Sequence, residues 1–200
     1  MRRIKLIVAY DGTEYSGWQI QPEAPTIEMY LDKAIRELTG ENVHVTGASR
    51  TDAGVHAYGN VAVFDTESTI PGDRFTFALN RFLPDSIVIQ DSWEVSVDFH
   101  PRHCNTRKTY EYRILNTAVP LPQKRNFTWH VTGSIDIEKM KEAAAYIVGE
   151  HDFKSFCCVR TQAESTVRTI YSLEVLQEGS EIIILSLIHI SEPTRRVVIS

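Results

Sequence analysis

The stretch VHVTGASRTDAGVHAYGNVAVFD, residues 43–65, decides the fold because a loop of small and polar residues joins two apolar segments there. Val43–Gly47 is rich in β-branched residues, and Ala57–Asp65 alternates between two faces. These patterns predict two β-strands. Strands that follow each other in sequence can pair as a hairpin, so the stretch favours an antiparallel sheet over a parallel doubly wound one.

The segments on either side of this stretch interleave further strands and helices. The predicted strands are Ile4–Tyr10, Ile87–Ile89, Trp93–Val97, Lys108–Leu115, Val167–Leu176 and Glu181–Ile190, and the predicted helices are Ile27–Leu38, Arg74–Phe82 and Ile137–Val148. We expect Thr26 and Asp136 to cap the first and last helices, and Gly40 to end the first one. The order predicts an α+β fold with helices on one face of a sheet.

Composition places the chain among globular proteins. Of its 200 residues, 42% are hydrophobic and 24% charged, and no apolar run approaches the 18 or so residues that span a bilayer. The basic start is followed by an apolar run, Leu6–Tyr10, that is too short for a signal peptide, which predicts a cytoplasmic protein. The three cysteines, Cys104, Cys157 and Cys158, are odd in number and lack metal-ligand spacing, so we expect reduced thiols.

Charge is distributed unevenly along the chain. The net charge is −5, yet residues 100–130 contain six lysines and arginines against one acid, Glu111, so this segment carries +5 and the remainder −10. The six cations are Arg102, Arg107, Lys108, Arg113, Lys124 and Arg125. The segment is typical of a surface that attracts a polyanion, and equally of a solvated basic surface.

The loop between the predicted strands Val43–Gly47 and Ala57–Asp65 concentrates reactive groups. Arg50 and Asp52 are two residues apart, so both side chains leave the same face of an extended backbone, where the guanidinium would keep the carboxylate ionised. Such a carboxylate acts as a nucleophile or a general base, and the alternative is an Asx turn with a surface ion pair. The sequence contains no glycine-rich phosphate loop, and His100 and His103 lack the further ligands of a zinc site.

Four segments resemble the tRNA pseudouridine synthase A family in order and spacing. They are Ala9–Gln19 (AYDGTEYSGWQ), Ser49–Ala57 (SRTDAGVHA), Phe99–Arg102 with Lys108–Ile114 (FHPR and KTYEYRI), and His151–Phe156 (HDFKSF). The resemblance covers residues 1 to about 185. It implies two sandwich-like α/β halves with ferredoxin-like β-α-β elements, mainly antiparallel sheets and a catalytic cleft between the halves. The expected domains are residues 1–105 with the aspartate loop and residues 106–185; a boundary near Pro120–Pro122 is the alternative.

The resemblance also implies an activity, namely isomerisation of uridine to pseudouridine in the anticodon stem-loop of tRNA, around tRNA positions 38–40, without cofactor or metal. Asp52 matches the family's nucleophile, whose attack on C6 of the base or C1′ of the ribose stays open. Arg50 matches the arginine that displaces the target base and pairs with the aspartate, and Tyr110 the aromatic residue that contacts the uracil. Further RNA contacts are expected from five residues, Trp18, Arg102, Arg107, Lys108 and Arg113. Tyr112 is expected in the core. The resemblance also implies a homodimer.

The chain departs from the family pattern after Leu185. Residues 186–200, SLIHISEPTRRVVIS, replace a glycine-rich, aromatic segment of the family, and we expect them to be a non-native tail. A divergent relative with its own short end is the alternative. Loss of the family segment is expected to expose Ile182–Ile184. It also leaves a non-catalytic tRNA-binding module or an inactive fragment as alternatives to an active enzyme.

Overall fold

A computed structural model describes residues 1–102, 106–156 and 165–190, and the chain divides into two compact units, Met1–Cys104 and Asn105–Ser200. Each unit contains one sheet and at least one helix. Antiparallel pairs dominate both sheets, so the predicted α+β class with mainly antiparallel sheets is confirmed.

The first unit is built on a four-stranded sheet with the order β2-β3-β1-β4. Its elements are β1 (Arg2–Tyr10), α1 (Ile27–Thr39), β2 (Thr46–Gly47), β3 (Ala57–Thr66), α2 (Phe75–Leu79) and β4 (Ile87–Val95), with a 3-10 turn at Gly72–Arg74. All pairs in this sheet are antiparallel. The central strand β1 therefore fixes the position of both neighbours.

The core of the first unit follows from two periodicities. In β1 every second residue from Ile4 to Tyr10 is buried, as expected of a strand with one covered face. In α1, Ile27, Leu31 and Ile35 recur at helical spacing and pack into the same cluster. Gly40 ends α1 at a φ of 76°, a left-handed conformation that glycine adopts without the steric cost of a Cβ. The sheet and α1 thus enclose one apolar layer.

The second unit is built on a five-stranded sheet with the order β6-β5-β9-β8-β7. Its elements are β5 (Thr106–Asn116), β6 (Trp129–Val131), α3 (Ile137–Ile147), β7 (Gly149–Asp152), β8 (Val167–Glu178) and β9 (Glu181–Ile190). Among the strands of the described residues, only β6 pairs in parallel, with β5. The buried cluster combines Ile114, Val175 and Ile182 of the sheet with Ala144 of α3. Asp136 caps α3 by accepting a hydrogen bond from the Lys139 amide at 3.1 Å, as predicted.

Several predicted boundaries are wrong for local reasons. The second strand contains only Thr46–Gly47, because the Val45 amide donates to the Asp32 carboxylate at 2.8 Å. Residues 87–95 form the single strand β4, which pairs with β1 across its polar middle, and residues 96–97 of the second predicted segment lie outside it. The helix predicted at 74–82 contains only residues 75–79, and β6 and β7 were not predicted.

Thr26 stands at the cap position of α1 but does not cap the helix through its hydroxyl group, so that prediction is wrong. The Thr26 Oγ is buried and has no hydrogen-bond partner in the described part of the chain. The first helical amides are satisfied instead by the loop before the helix. Ile27 N donates to Gly17 O at 3.1 Å and Glu28 N donates to Trp18 O at 3.0 Å. The backbone of the 17–18 segment therefore caps α1.

Strand β9 continues through Ile190, so residues 186–190 of the departing tail belong to the sheet. Ile182 and Ile183 are 1% and 4% exposed because β9 lies between β5 and β8, and their expected exposure is wrong. Residues 191–200, His103 and the three cysteines lie outside the described residues. None of the helices in the described ranges combines the length and the apolar character needed to cross a membrane.

Candidate active site

The loop 48–56 joins β2 to β3, and a buried amide fixes its beginning. Asn60 is 7% exposed, its Oδ1 accepts from Ser49 N at 3.1 Å, and its Nδ2 donates to Ser49 O at 2.9 Å. Ala48 N donates to Val61 O at 2.7 Å, which prolongs the β2–β3 pairing by one residue. The first two residues of the loop, Ala48 and Ser49, are therefore held against β3.

The residue before Asp52 is held by three contacts to the β1–α1 segment. Trp18 N donates to Thr51 O at 3.0 Å, and the Tyr10 hydroxyl lies 2.8 Å from Thr51 Oγ1. Burial raises the pKa of Tyr10 above its ordinary value, so the phenol stays protonated and able to donate. Gly17 approaches so closely that a Cβ there would lie 2.5 Å from Thr51 O. Thr51 is thus fixed through both its backbone and its side chain.

The residues after Asp52 are held by a second set of contacts. A turn closes from Val55 N to Asp52 O at 3.2 Å, with Gly54 at a φ of 78°. Gly54 N donates to Tyr15 O at 3.2 Å. Gly12 lies against the loop, since a Cβ at this position would collide with Val55 O. The turn is therefore fixed on the side opposite Thr51.

His56 ends the loop beside the same β1–α1 segment. Its Nδ1 lies 3.2 Å from the Gly12 amide nitrogen and 3.1 Å from Asp11 Oδ1. Asp11 also accepts from the amide and the hydroxyl of Thr13. The Thr13 contacts, with a smaller contribution from His56, hold the pKa of Asp11 below its ordinary value, so this carboxylate is charged.

Asp52 and Arg50 both have exposed side chains at the tip of this loop. Within the described ranges the two residues form no ion pair with each other at or below 4.0 Å. The predicted pairing assumed an extended backbone, whereas residues 48–56 lie outside the strands β2 and β3. Asp52 is therefore a solvent-accessible carboxylate on a firmly anchored turn, and the role of Arg50 stays a prediction.

Trp18 does not belong to a nucleic-acid surface. Its side chain is 1% exposed and packs in the core of the first unit, 6.0 Å from the Tyr10 ring centre. A Cβ at Gly47 would lie 2.5 Å from the indole, so only glycine fits beneath it. The predicted RNA contact of the Trp18 side chain is therefore wrong, and the residue supports the loop from below.

Tyr110 lies in the second unit, on β5, with 48% of its surface exposed. Partial desolvation raises the pKa of Tyr110, while the positive charge of Arg168 acts in the opposite direction. Tyr112, two residues along the same strand face, is 52% exposed, and its ring centre lies 6.5 Å from that of Trp129. The expected core position of Tyr112 is therefore wrong, and β5 presents two accessible aromatic rings.

Two cations of the basic segment, residues 100–130, form ion pairs with carboxylates that lie close to them in the fold. Arg113 forms ion pairs with Glu111 and with Glu181, the latter at 3.0 Å, and Lys124 binds the same Glu181 at 2.8 Å. Lys124 and Arg113 together hold the pKa of Glu181 below its ordinary value. These ion pairs leave Arg113 with less free charge for a phosphate, and its RNA contact stays a prediction.

The other predicted cations differ in how far their side chains are exposed. Arg107 is exposed, with its guanidinium 5.1 Å from the centre of the Tyr171 ring. Lys108 and Arg102 are half-buried. Arg102 Nε is a buried donor without a hydrogen-bond partner among the residues described. In that same part of the chain, no group of three or more His, Cys, Asp or Glu side chains is arranged to hold a metal ion.

The sequence pattern missed the residues that anchor the loop, namely Gly12, Gly17, Tyr10 and Asn60. Two signals were available. Asn60 is a polar residue within an apolar strand, a position where a buried amide needs partners. The two glycines follow β1 closely, and glycine is typical of places where one backbone segment approaches another.

The chain matches a family model described as tRNA pseudouridine synthase over residues 6–103 and 143–192. It is similar to tRNA pseudouridine synthase A of Acetivibrio thermocellus, with 50% identity over 178 residues, which cover 89% of this chain and 73% of that protein. It is also 50% identical to tRNA pseudouridine synthase A of Ruminiclostridium cellulolyticum, over 88% of this chain and 71% of that protein. It is 48% identical to tRNA pseudouridine synthase A 2 of Clostridium perfringens, over 91% of this chain and 75% of that protein. The family match includes the whole anchored loop.

Proposed function

The chain belongs to the tRNA pseudouridine synthase family, and from this premise we propose that it isomerises uridine to pseudouridine in the anticodon stem-loop of tRNA, around tRNA positions 38–40. The reaction replaces the N1–C1′ glycosidic bond of uridine by a C5–C1′ bond. C5 loses a proton and N1 gains one, so atoms and electrons balance without an oxidant or a reductant. The anticodon location is supported by the resemblance of the four sequence motifs.

The observation that carries the proposal is an exposed Asp52 on a loop that is anchored on both sides. Thr51 is fixed by Tyr10 and Trp18, and the turn after Asp52 is fixed by Tyr15 and Gly12. A nucleophile must stay within a fraction of an ångström of its target atom, and anchoring of this kind supplies that precision before the substrate binds.

We assign the nucleophilic role to Asp52. Its carboxylate attacks C6 of the base or C1′ of the ribose, the N1–C1′ bond breaks, the base turns, and C5 bonds to C1′ as Asp52 is released. The target base has to leave the helical stack, at a cost of a few kcal/mol. Arg50, exposed on the same loop, is proposed to fill the vacated space. The accessible ring of Tyr110 is proposed to stack on the uracil, a contact that contributes about 1–3 kcal/mol.

Phosphate contacts are proposed for Arg107, Lys108 and Arg102. Arg107 is the best supported, because its guanidinium is exposed beside the Tyr171 ring and forms no ion pair with a carboxylate among the residues that the structure describes. Each phosphate neutralised by such a cation releases counterions, so the affinity falls as salt rises. The acidic character of the remaining chain then helps to confine the polyanion to the basic segment.

We propose further that the protein works in the cytoplasm and, as the resemblance implies for full-length members of the family, as a homodimer. One chain carries a net charge of −5, and a symmetric dimer lets two basic segments serve one RNA. Light scattering behind a sizing column tests this directly, and a monodisperse, active monomer would contradict it.

Tritium release from tRNA transcripts labelled at C5 of uridine tests the catalytic proposal. Asp52→Asn keeps the shape of the side chain but loses the nucleophile, so turnover should be abolished while the tRNA dissociation constant stays within about twofold. Asp73→Asn is the matched control, since Asp73 is an exposed aspartate in an ion pair with Arg74 away from the loop. Measurable turnover in Asp52→Asn would refute the nucleophile assignment. If the unmodified chain binds tRNA but releases no tritium, a non-catalytic binding module is indicated instead.

A further inference from the structure

We propose that His56 is a positioning residue for Asp52, because its imidazole ties the far end of the Asp52 loop to Asp11 and Gly12 of the β1–α1 segment. The inference rests on the proposed function, in which Asp52 is the reacting group. His56 touches no reacting atom in this proposal and acts through the geometry of the loop.

One ring nitrogen serves two partners of opposite kind. His56 Nδ1 lies 3.2 Å from the amide nitrogen of Gly12, which is a donor, and 3.1 Å from Asp11 Oδ1, which is an acceptor. Neutral imidazole with its proton on Nε2 accepts from Gly12 through Nδ1, whereas a ring with a proton on Nδ1 donates to Asp11. Both partners are adjacent residues of one segment. The ring therefore has a partner on that segment in either tautomer.

The partners of His56 are themselves fixed. Asp11 accepts from Thr13 N at 3.0 Å and from Thr13 Oγ1 at 2.6 Å, and its own amide donates to Ser86 O at 2.9 Å. Gly12 is pressed against the loop, because a Cβ at this position would collide with Val55 O. The imidazole thus connects the loop to a segment that has little freedom to move.

The contacts that anchor the loop lie on two sides of Asp52. Tyr10 and Trp18 hold Thr51 on one side, and their contacts do not involve His56. Truncation of His56 removes a contact on the other side, where the turn closes between Asp52 and Val55 and the Gly54–Tyr15 hydrogen bond remains. We therefore expect the turn to move about Thr51 rather than the whole loop to detach. The Asp52 carboxylate then shifts away from its target atom, while the cations proposed to contact RNA stay in position.

The experiment compares His56→Ala, His56→Asn and the control His44→Ala. Asparagine keeps an acceptor for Gly12 and a donor for Asp11, so it should retain most of the activity. His44 lies 3.1 Å from Asp32 and 3.5 Å from Glu28, so its removal also breaks histidine–carboxylate contacts, but away from the loop. We expect His56→Ala to lower kcat by about 10- to 100-fold, with the tRNA dissociation constant within about twofold of the parent value, and His44→Ala to keep the parent kcat.

Hydrogen exchange of a peptide covering residues 48–57 supplies a readout that does not depend on turnover. His56→Ala should exchange faster in this peptide than the parent chain, and His56→Asn should not. An unchanged kcat, unchanged exchange, or a loss of kcat that asparagine does not rescue would overturn the proposal. If the parent chain itself releases no tritium, the proposed function fails, and the exchange comparison still decides whether His56 fixes the loop.

Discussion

The substitution Gly17→Ala tests most directly how the Asp52 loop is anchored. Gly17 has a φ of +95°, and a Cβ there would lie 2.5 Å from Thr51 O and 3.1 Å from the carbonyl carbon of Asp52. Ordinary van der Waals contact begins near 3.4 Å, so the Thr51–Asp52 peptide has to move by about 0.9 Å. A misplacement of about 1 Å in a catalytic group lowers turnover about 100-fold.

The same substitution also strains the backbone, and a matched control separates the two effects. Gly40 has a φ of +76° at the end of α1, and a Cβ there meets nothing within 4 Å. Gly40→Ala should lower the free energy of unfolding by about 1–2 kcal/mol, the cost of a left-handed conformation for an L-residue, and Gly17→Ala should lower it by more because it also displaces a peptide. Only Gly17→Ala should lower kcat for pseudouridine formation. Urea denaturation and tritium release measure the two quantities. A parent-like kcat in Gly17→Ala would refute the anchoring argument.

Three further substitutions test other contacts. Asn60→Ala leaves the Ser49 amide and carbonyl without their partner, so it should lower the free energy of unfolding by about 2–4 kcal/mol in urea denaturation and lower kcat as well. Arg3 holds the pKa of Asp65 below its ordinary value, so their ion pair stabilises the fold above about pH 4, and this stabilisation is lost as pH falls through the folded pKa. Asp65→Asn should therefore lower the free energy of unfolding by about 1 kcal/mol at pH 7. A difference in this free energy between the variant and the parent that does not shrink toward pH 3 would contradict the argument. Ile182→Ala, at a 1% exposed position in the core of the second unit, should cost about 2–5 kcal/mol, and a parent-like denaturation midpoint would exclude a core role.

The long strands were predictable because alternation is a local property. β1, β3 and β5 show a two-residue period over most of their length, and the structure contains each of them. The two strands that were missed, Trp129–Val131 and Gly149–Asp152, are three and four residues long. So few residues cannot display a period, and their pairing is decided by the neighbouring strand.

The site was predictable in its reactive residues but not in its supports. The pattern SRTDAGVHA singled out the loop and Asp52, and the family match supports that interpretation. The burial of Trp18 was not predictable, because the residues around it are polar and its partners Tyr10 and Gly47 are distant in sequence.

Ion pairs between distant residues were not predictable either, because the partners lie far apart in the sequence. A window over residues 100–130 counts Arg113 and Lys124 as free cations. Their partner Glu181 lies on β9, which comes beside β5 only once the sheet has formed. Local charge counts therefore overestimate the cationic surface wherever a distant strand brings in an acid.

The burial of Trp18 gives this protein a built-in optical probe of its own site. Trp93 and Trp129, the two other tryptophans, are 36% and 59% exposed, so a soluble quencher such as acrylamide reaches them first. The fluorescence that remains after quenching comes from Trp18. Its indole packs against Gly47, and its backbone amide donates to Thr51 O. A change in that residual emission reports movement beneath the loop in real time, without a label and before any product has formed.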